Sequence, residues 1–134
     1  MPTYLMWDDE AHTILTQKYD GVCTLDEFHQ IVDDSSKMLA TVPHEVDLII
    51  DMTTMSISAG RLLSAVTHVE GKVPPNQRLL LVVCAPAFIR AIVRVATKIA
   101  PKATRNLHFL DTLDQAHDII GRFRQANAAP ITQK

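Results

Sequence analysis

Aromatic side chains are scarce in this sequence: one Trp, two Tyr and four Phe among 134 residues. So few stacking platforms, on a chain of net charge −2, leave nucleic acid the least favoured partner. Long apolar runs are missing as well. The densest, Leu79 to Ala87, is interrupted by Pro86 and falls far short of the roughly 20 residues that span a bilayer, so no membrane span is expected. The first residues do not join a basic segment to an apolar one, as a signal peptide does, and a cytoplasmic location is the expectation. There are two cysteines, Cys23 and Cys84. In that setting a disulfide between them is disfavoured. Cys84, inside an apolar run, reads as a small buried hydrophobe.

Motifs for chemistry are missing too. No two of the histidines (His12, His29, His44, His68, His108 and His117) stand in an HxxxH spacing, and neither cysteine belongs to a CxxC. No metal site is therefore expected. A GxSxG elbow, a P-loop and a GxGxxG turn are absent. The expectation is a chain that is not an enzyme, with no catalytic residues and no cofactor. Catalytic partners need not be adjacent in sequence, so a hydrolase using Cys23 with His29 or a more distant histidine stands as a third reading.

What is present suits one domain with one core. The charge is unevenly spread. Met1 to Asp51 holds eleven acids and two bases, Lys18 and Lys37, whereas Met52 to Lys134 holds four acids and eleven bases. Such a dipolar chain steers charged partners or packs head to tail, unless the two halves interleave in the fold.

Periodicity and punctuation give the elements. Thr3 to Trp7 and His12 to Tyr19 read as two strands of a hairpin, ended by Asp20-Gly21. In the second, Ile14, Thr16 and Lys18 share one face and Leu15, Gln17 and Tyr19 the other. Thr24-Leu-Asp-Glu27 is a capping-box pattern that opens a helix through Leu25, Phe28, Ile31, Val32, Met38 and Leu39, stopped by Pro43. Val46 to Asp51 is a strand, and its unbroken Leu48 to Ile50 predicts burial on both faces. Met52 to Ser58 reads as a hydroxyl-rich loop, with a second helix starting near Ser56 or Ser58 and using Leu62, Leu63, Val66 and Val69. Arg78 to Ala85 is the most apolar strand. A third helix begins near Pro86, uses Phe88, Ile89, Ile92, Val93, Ala96 and Ile99, and ends at Pro101. Leu107 to Leu110 is a last strand, and Thr112-Leu-Asp-Gln115 a second capping box before a final helix with Leu113, Ala116, Ile119, Ile120 and Phe123. Residues 1–126 form the expected domain, and 127–134 a flexible tail. The order β-β-α-β-α-β-α-β-α predicts an α/β fold: a mixed five-stranded sheet with an antiparallel edge and four helices.

That order, with three passages, resembles the STAS domain, on its SpoIIAA-like (anti-sigma-factor antagonist-like) branch. The passages are the hairpin Tyr4 to Gly21 before a Thr-capped helix, Asp47-Leu-Ile-Ile-Asp51 leading through Met52-Thr53 into the hydroxyl-rich segment, and Phe109 to His117. The resemblance covers roughly Thr3 to Gln125. It implies a regulatory or protein-interaction module that is not an enzyme. Antagonist-type members carry Asp-Ser or Asp-Thr in the strand-to-helix loop, where a kinase phosphorylates the hydroxyl. Here no acid immediately precedes Ser56 or Ser58.

Two places are candidate sites. The segment Asp51, Thr53, Thr54, Ser56 and Ser58 follows a central strand and precedes a helix, where open α/β sheets hold ligands and free amides favour anions. Ser56 and Ser58 are candidate phosphosites there, or else simple helix N-caps, and Asp51 is either a ligand group or an acceptor of loop amides. Arg90, Arg94 and Lys98 recur every four residues on one helix face, as a basic patch or as an ordinary solvated face. The expected partner is a protein. The alternative is a carrier of a small molecule or lipid, with an apolar cleft beside the sheet supported by the apolar richness of Val46 to Val95. A homodimer and a small apolar or anionic ligand also fit the sequence.

Overall fold

One carboxylate sets the link between the first two strands. In the computed structural model, which describes residues 3–22, 24–56 and 62–132, β1 (Thr3–Trp7) runs antiparallel to β2 (Ile14–Val22). Between them Asp9 Oδ1 accepts the amides of Thr13 and Ile14 at 2.9 and 3.0 Å, and its other oxygen accepts the Thr13 hydroxyl. His12, with φ +56°, turns the chain and stacks on Trp7 with ring centroids 4.5 Å apart. His12 and Thr13 thus belong to the turn, two residues later than the alternating pattern places the strand start.

The remaining elements are α1 (Leu25–Ala40), β3 (Val46–Ser56), α2 (Leu62–Glu70), β4 (Gln77–Val83), α3 (Ala87–Ala96), β5 (Leu107–Leu110) and α4 (Leu113–Thr132). The fold is α/β. The sheet order is β1-β2-β3-β4-β5, and every pair after the first is parallel.

The two sheet faces are covered differently. Leu15, Leu48, Leu80 and Val82 point to one face and pack with Leu39 of α1 and Ile89 of α3. Ile14, Ile49, Leu79, Leu81 and Val83 point to the other and pack with Ala116 and Ile120 of α4. The unbroken apolar runs in β3 and β4 are therefore buried on both sides, as a parallel strand between helical layers requires. The three crossover helices share one face and α4 alone covers the other. Strand order follows chain order with no reversal. The topological switch point that makes a crevice in doubly wound sheets is absent, which removes the argument that placed a ligand after the central strand.

Helix ends follow local chemistry. At α1 the capping box is complete: the Glu27 amide donates to the Thr24 hydroxyl at 3.1 Å and the Thr24 amide to the Glu27 carboxylate at 2.9 Å. At α4 it is half formed. The Gln115 amide donates to the Thr112 hydroxyl at 3.1 Å, but the Gln115 side chain accepts the amide of Asp111 rather than that of Thr112. Helix α3 stops at Ala96, earlier than Pro101, and leaves Phe88 and Ile99 exposed rather than in the core. The α4 backbone stays helical to Thr132, through residues the composition assigns to a flexible tail. Ala126, Ala128 and Ala129 are strong helix formers that can carry it on.

Candidate functional site

The strand after Asp47 does not end where its apolar run ends. β3 continues to Ser56, and β2 continues past Asp20-Gly21 to Val22, because each supplies the other's hydrogen bonds: Asp20 faces Thr54, Gly21 faces Met55 and Val22 faces Ser56. Gly21 adopts φ +72°, which a glycine tolerates without strain. Between the Lys18–Asp51 and Asp20–Thr54 rungs, β3 uses three residues where β2 uses two. Such a bulge takes an amide out of the ladder. Asp51 fills the vacancy, its Oδ1 accepting the Thr53 amide at 3.0 Å and the Thr53 hydroxyl at 2.5 Å.

This corrects the candidate segment. Met52 to Ser56 is strand, not loop. Asp51 is buried and occupied with its own bulge. Thr53 and Thr54 are exposed on the strand rim, and the Thr54 hydroxyl donates to the Tyr19 carbonyl at 3.3 Å. Ser56 stands on the last rung opposite Val22, so it is not a helix N-cap, and the helix-terminus argument for a phosphate there fails. Ser58 and Cys23 lie outside the described residues. Cys84 is a free thiol just beyond β4, half-buried rather than buried, and its Sγ lies 2.8 Å from the Asp111 carbonyl oxygen.

The basic patch is also divided. Arg90 donates to the Ala85 carbonyl at 3.2 Å, lies over the Phe109 ring at 5.4 Å and approaches Asp111 at 3.7 Å. Arg94 and Lys98 remain exposed with no carboxylate partner among the described residues. Lys98 sits in the turn after the helix.

A different feature emerges beneath α2. The C-terminal half of this helix is tied to its neighbours on both sides. Its His68 stacks on His29 of α1 at 4.0 Å and bonds Asp33 at 2.9 Å. Past its end, the Lys72 carbonyl accepts the Ser36 hydroxyl at 2.6 Å. Towards the other neighbour, the Glu70 carboxylate accepts the Ala103 amide at 2.8 Å. Its residues Val66 and Val69 face the space above the sheet. A cavity of about 100 Å³ results between α2, α3 and strands β3 to β5. Val69, Ile92, Val93, Leu80, Val82 and Phe109 line it, and among the described lining residues only Thr104 is polar. A second space of about 50 Å³ lies between α1 and α2, sharing Phe28, Ile50, Val69 and Leu80 with the first. Gln17 and Ser35 border this smaller space. Gln17 donates to the Ser35 hydroxyl at 2.7 Å and accepts the Tyr19 hydroxyl at 2.8 Å.

A space so lined suits a small apolar guest. The residues picked from sequence do not meet in it. Periodicity marks Val66, Val69, Ile92 and Val93 as inward-facing, but it does not say that a space remains between them. The stacked His29–His68 pair joins two helices 39 positions apart and carries no sequence motif. Among the described residues no three His, Cys, Asp or Glu side chains gather as a metal site requires.

The tether on α2 makes folding depend on acid. The His68 hydrogen bond holds the Asp33 carboxyl below its ordinary value against a small burial effect, and Lys72 adds to it. At Asp9 burial raises the value, but the hydrogen bonds from Thr13 and Ile14 together outweigh it, and the carboxyl is again lowered. A carboxyl with a lowered folded-state value stabilises the fold above its unfolded value of about 3.9, and that contribution disappears as pH falls through the folded value. Urea unfolding from pH 6 down to pH 2 is expected to show falling stability below about pH 4. Asp33→Asn and Asp9→Asn should each flatten part of that fall. An unchanged profile in both variants would contradict the assignment.

The chain matches no family model and no curated protein.

Proposed function

We propose that this chain is a STAS-like binding module without catalytic activity, and that it holds a small apolar molecule or a short acyl chain beneath α2. The observation that carries the reading is the apolar cavity between α2, α3 and the sheet. On the opposite face of the sheet the core is tightly closed, with Ile49, Leu81 and Val83 at or near zero exposure. A gap left under one helix of such a fold is a designated space rather than general looseness. The helix above it is tied to α1 by the His68–Asp33 bond and to the segment after α3 by the Glu70–Ala103 bond. No helix among the described residues is long and apolar enough to cross a membrane.

The test is ligand-linked stability. Benzene and butanoic acid serve as probes, with thermal unfolding as readout. A probe at 100 times its dissociation constant adds about 2.7 kcal/mol to the folded state, a rise in midpoint of several degrees. Val93→Phe fills the cavity and is expected to remove that rise while leaving the protein folded. Native mass spectrometry of gently purified protein provides the second readout. If neither probe shifts the midpoint and no adduct is retained, carriage is wrong.

The regulatory reading, a protein partner on the strand rim and the second helix, has one observation of its own. Val22 is 72% exposed at the end of β2, two rungs beyond the pairing of Asp20 with the exposed Thr54. That rim offers an exposed apolar contact, without the acid–hydroxyl pair of the antagonists.

A further inference from the structure

Helix α3 has a face that the fold does not use. Its inward side carries Ile89, Ile92, Val93 and Ala96. On the adjacent outer side Phe88 is 38% exposed, Val95 62% and Ile99 60%. The helical turn continues past Ala96, since the Ala100 amide donates to the Ala96 carbonyl at 2.7 Å, so Ile99 extends the same row. Arg94 and Lys98 lie beside it, roughly 100° around the axis from Val95 and Ile99, and Lys102 is exposed just beyond.

The charge around this row is of one sign. Residues 71–110 contain seven Lys and Arg and no acid. The carboxylates flanking that span are engaged: Glu70 holds the Ala103 amide and Asp111 faces Arg90. A row of three separated apolar side chains is far smaller than the ~800 Å² per partner that a specific protein interface needs. It suits a surface that requires no shape match. Aliphatic tips insert between lipid chains while Arg and Lys stems snorkel to the headgroups.

We propose that the outer face of α3, Phe88, Val95 and Ile99 flanked by Arg94 and Lys98, docks the protein reversibly on an anionic phospholipid bilayer. The docking stands independently of any ligand in the cavity. A juxtamembrane cation contributes enough that its loss weakens binding about 5-fold.

The experiment is flotation of the full chain with vesicles, either pure phosphatidylcholine or one-third phosphatidylglycerol. Binding is expected to the anionic vesicles only and to vanish at high salt. Arg94→Gln with Lys98→Gln should weaken it about 25-fold if the two losses add, and Val95→Ser with Ile99→Ser should weaken it without removing the salt dependence. Both pairs replace exposed side chains, so an unchanged unfolding midpoint confirms the fold. The proposal is overturned if anionic vesicles are not bound, or if binding survives both pairs. It is equally overturned if vesicles are ignored while the same substitutions dissolve a dimer in light scattering, which would assign the face to a second copy.

Discussion

Replacing Asp47 with Ala should cost about 3–5 kcal/mol and lower the unfolding midpoint by roughly 10–20 °C. The carboxylate is fully buried. It takes both arms of Arg78, at 2.8 and 2.7 Å, the Arg124 guanidinium at 3.2 Å and the Leu79 amide at 3.2 Å. One side chain thus joins β3 to β4 and draws α4 against the sheet. Arg78 also lies over the Phe123 ring of α4 at 4.8 Å, and its bond to Asp47 raises its already high proton affinity. Removing Asp47 strands a guanidinium in a site built to neutralise it, and the cost is that of an unpaired buried charge rather than of a lost contact. The ordering of variants follows. Arg124→Ala should cost about 1 kcal/mol, since that side chain is partly solvated. The double variant Asp47→Leu with Arg78→Met should be markedly more stable than Asp47→Ala, because neither charge then remains. Urea denaturation of the four proteins checks this, and a double variant as unstable as the single one would refute the unpaired-charge account.

That network shows what the sequence does and does not disclose. Asp47 stands inside Val46 to Ile50, where an acid among apolar residues signals either a bend or a buried partner. Arg78 is the second residue of the next parallel strand, one register step away. Sequence alone cannot choose between a solvated and a buried acid, because the answer depends on α4, which arrives 77 positions later through Arg124. The element order was readable because capping boxes, Pro43 and Pro86 are local signals. The extension of β2 and β3 was not readable. Asp20-Gly21 and Thr53-Thr54 have turn and loop propensities, and only mutual pairing overrides them. Met52 to Ser56 reads as a loop for the same reason, while Asp51 takes the amide-acceptor role that its sequence leaves open, in a bulge that exists only once the strands are in register.

The exposed row on α3 illustrates the complementary error. Phe88 and Ile99 sit near the apolar stripe, and periodicity alone places them in the core. A stripe widened to one side of the buried residues points instead to a second, outward surface. The same widening separates the row from Arg94 and Lys98 by about one quarter turn. Periodicity counts apolar side chains as inward by default, whereas an exposed apolar group beside unpaired cations is the more informative observation.

The sheet's two faces should answer mutation with opposite signs. Leu81 has zero exposure and packs with Ile14, Ile49, Ala116 and Ile120 beneath α4. Leu81→Ala is expected to cost about 2–5 kcal/mol, the transfer of three carbons plus the void they leave in a region with no slack. On the opposite face, Val69 of α2 borders both cavities. Val69→Leu adds a methylene where space exists and replaces a β-branched residue within a helix, which relieves a small χ1 restriction. Stabilisation of about 0.5–1 kcal/mol is expected, with weaker binding of any apolar probe as the space shrinks. Equilibrium unfolding in urea measures both effects. If Val69→Leu instead destabilises by more than about 1 kcal/mol, as overpacking of a filled core does, the space beneath α2 is not available to a guest and the carrier function falls with it.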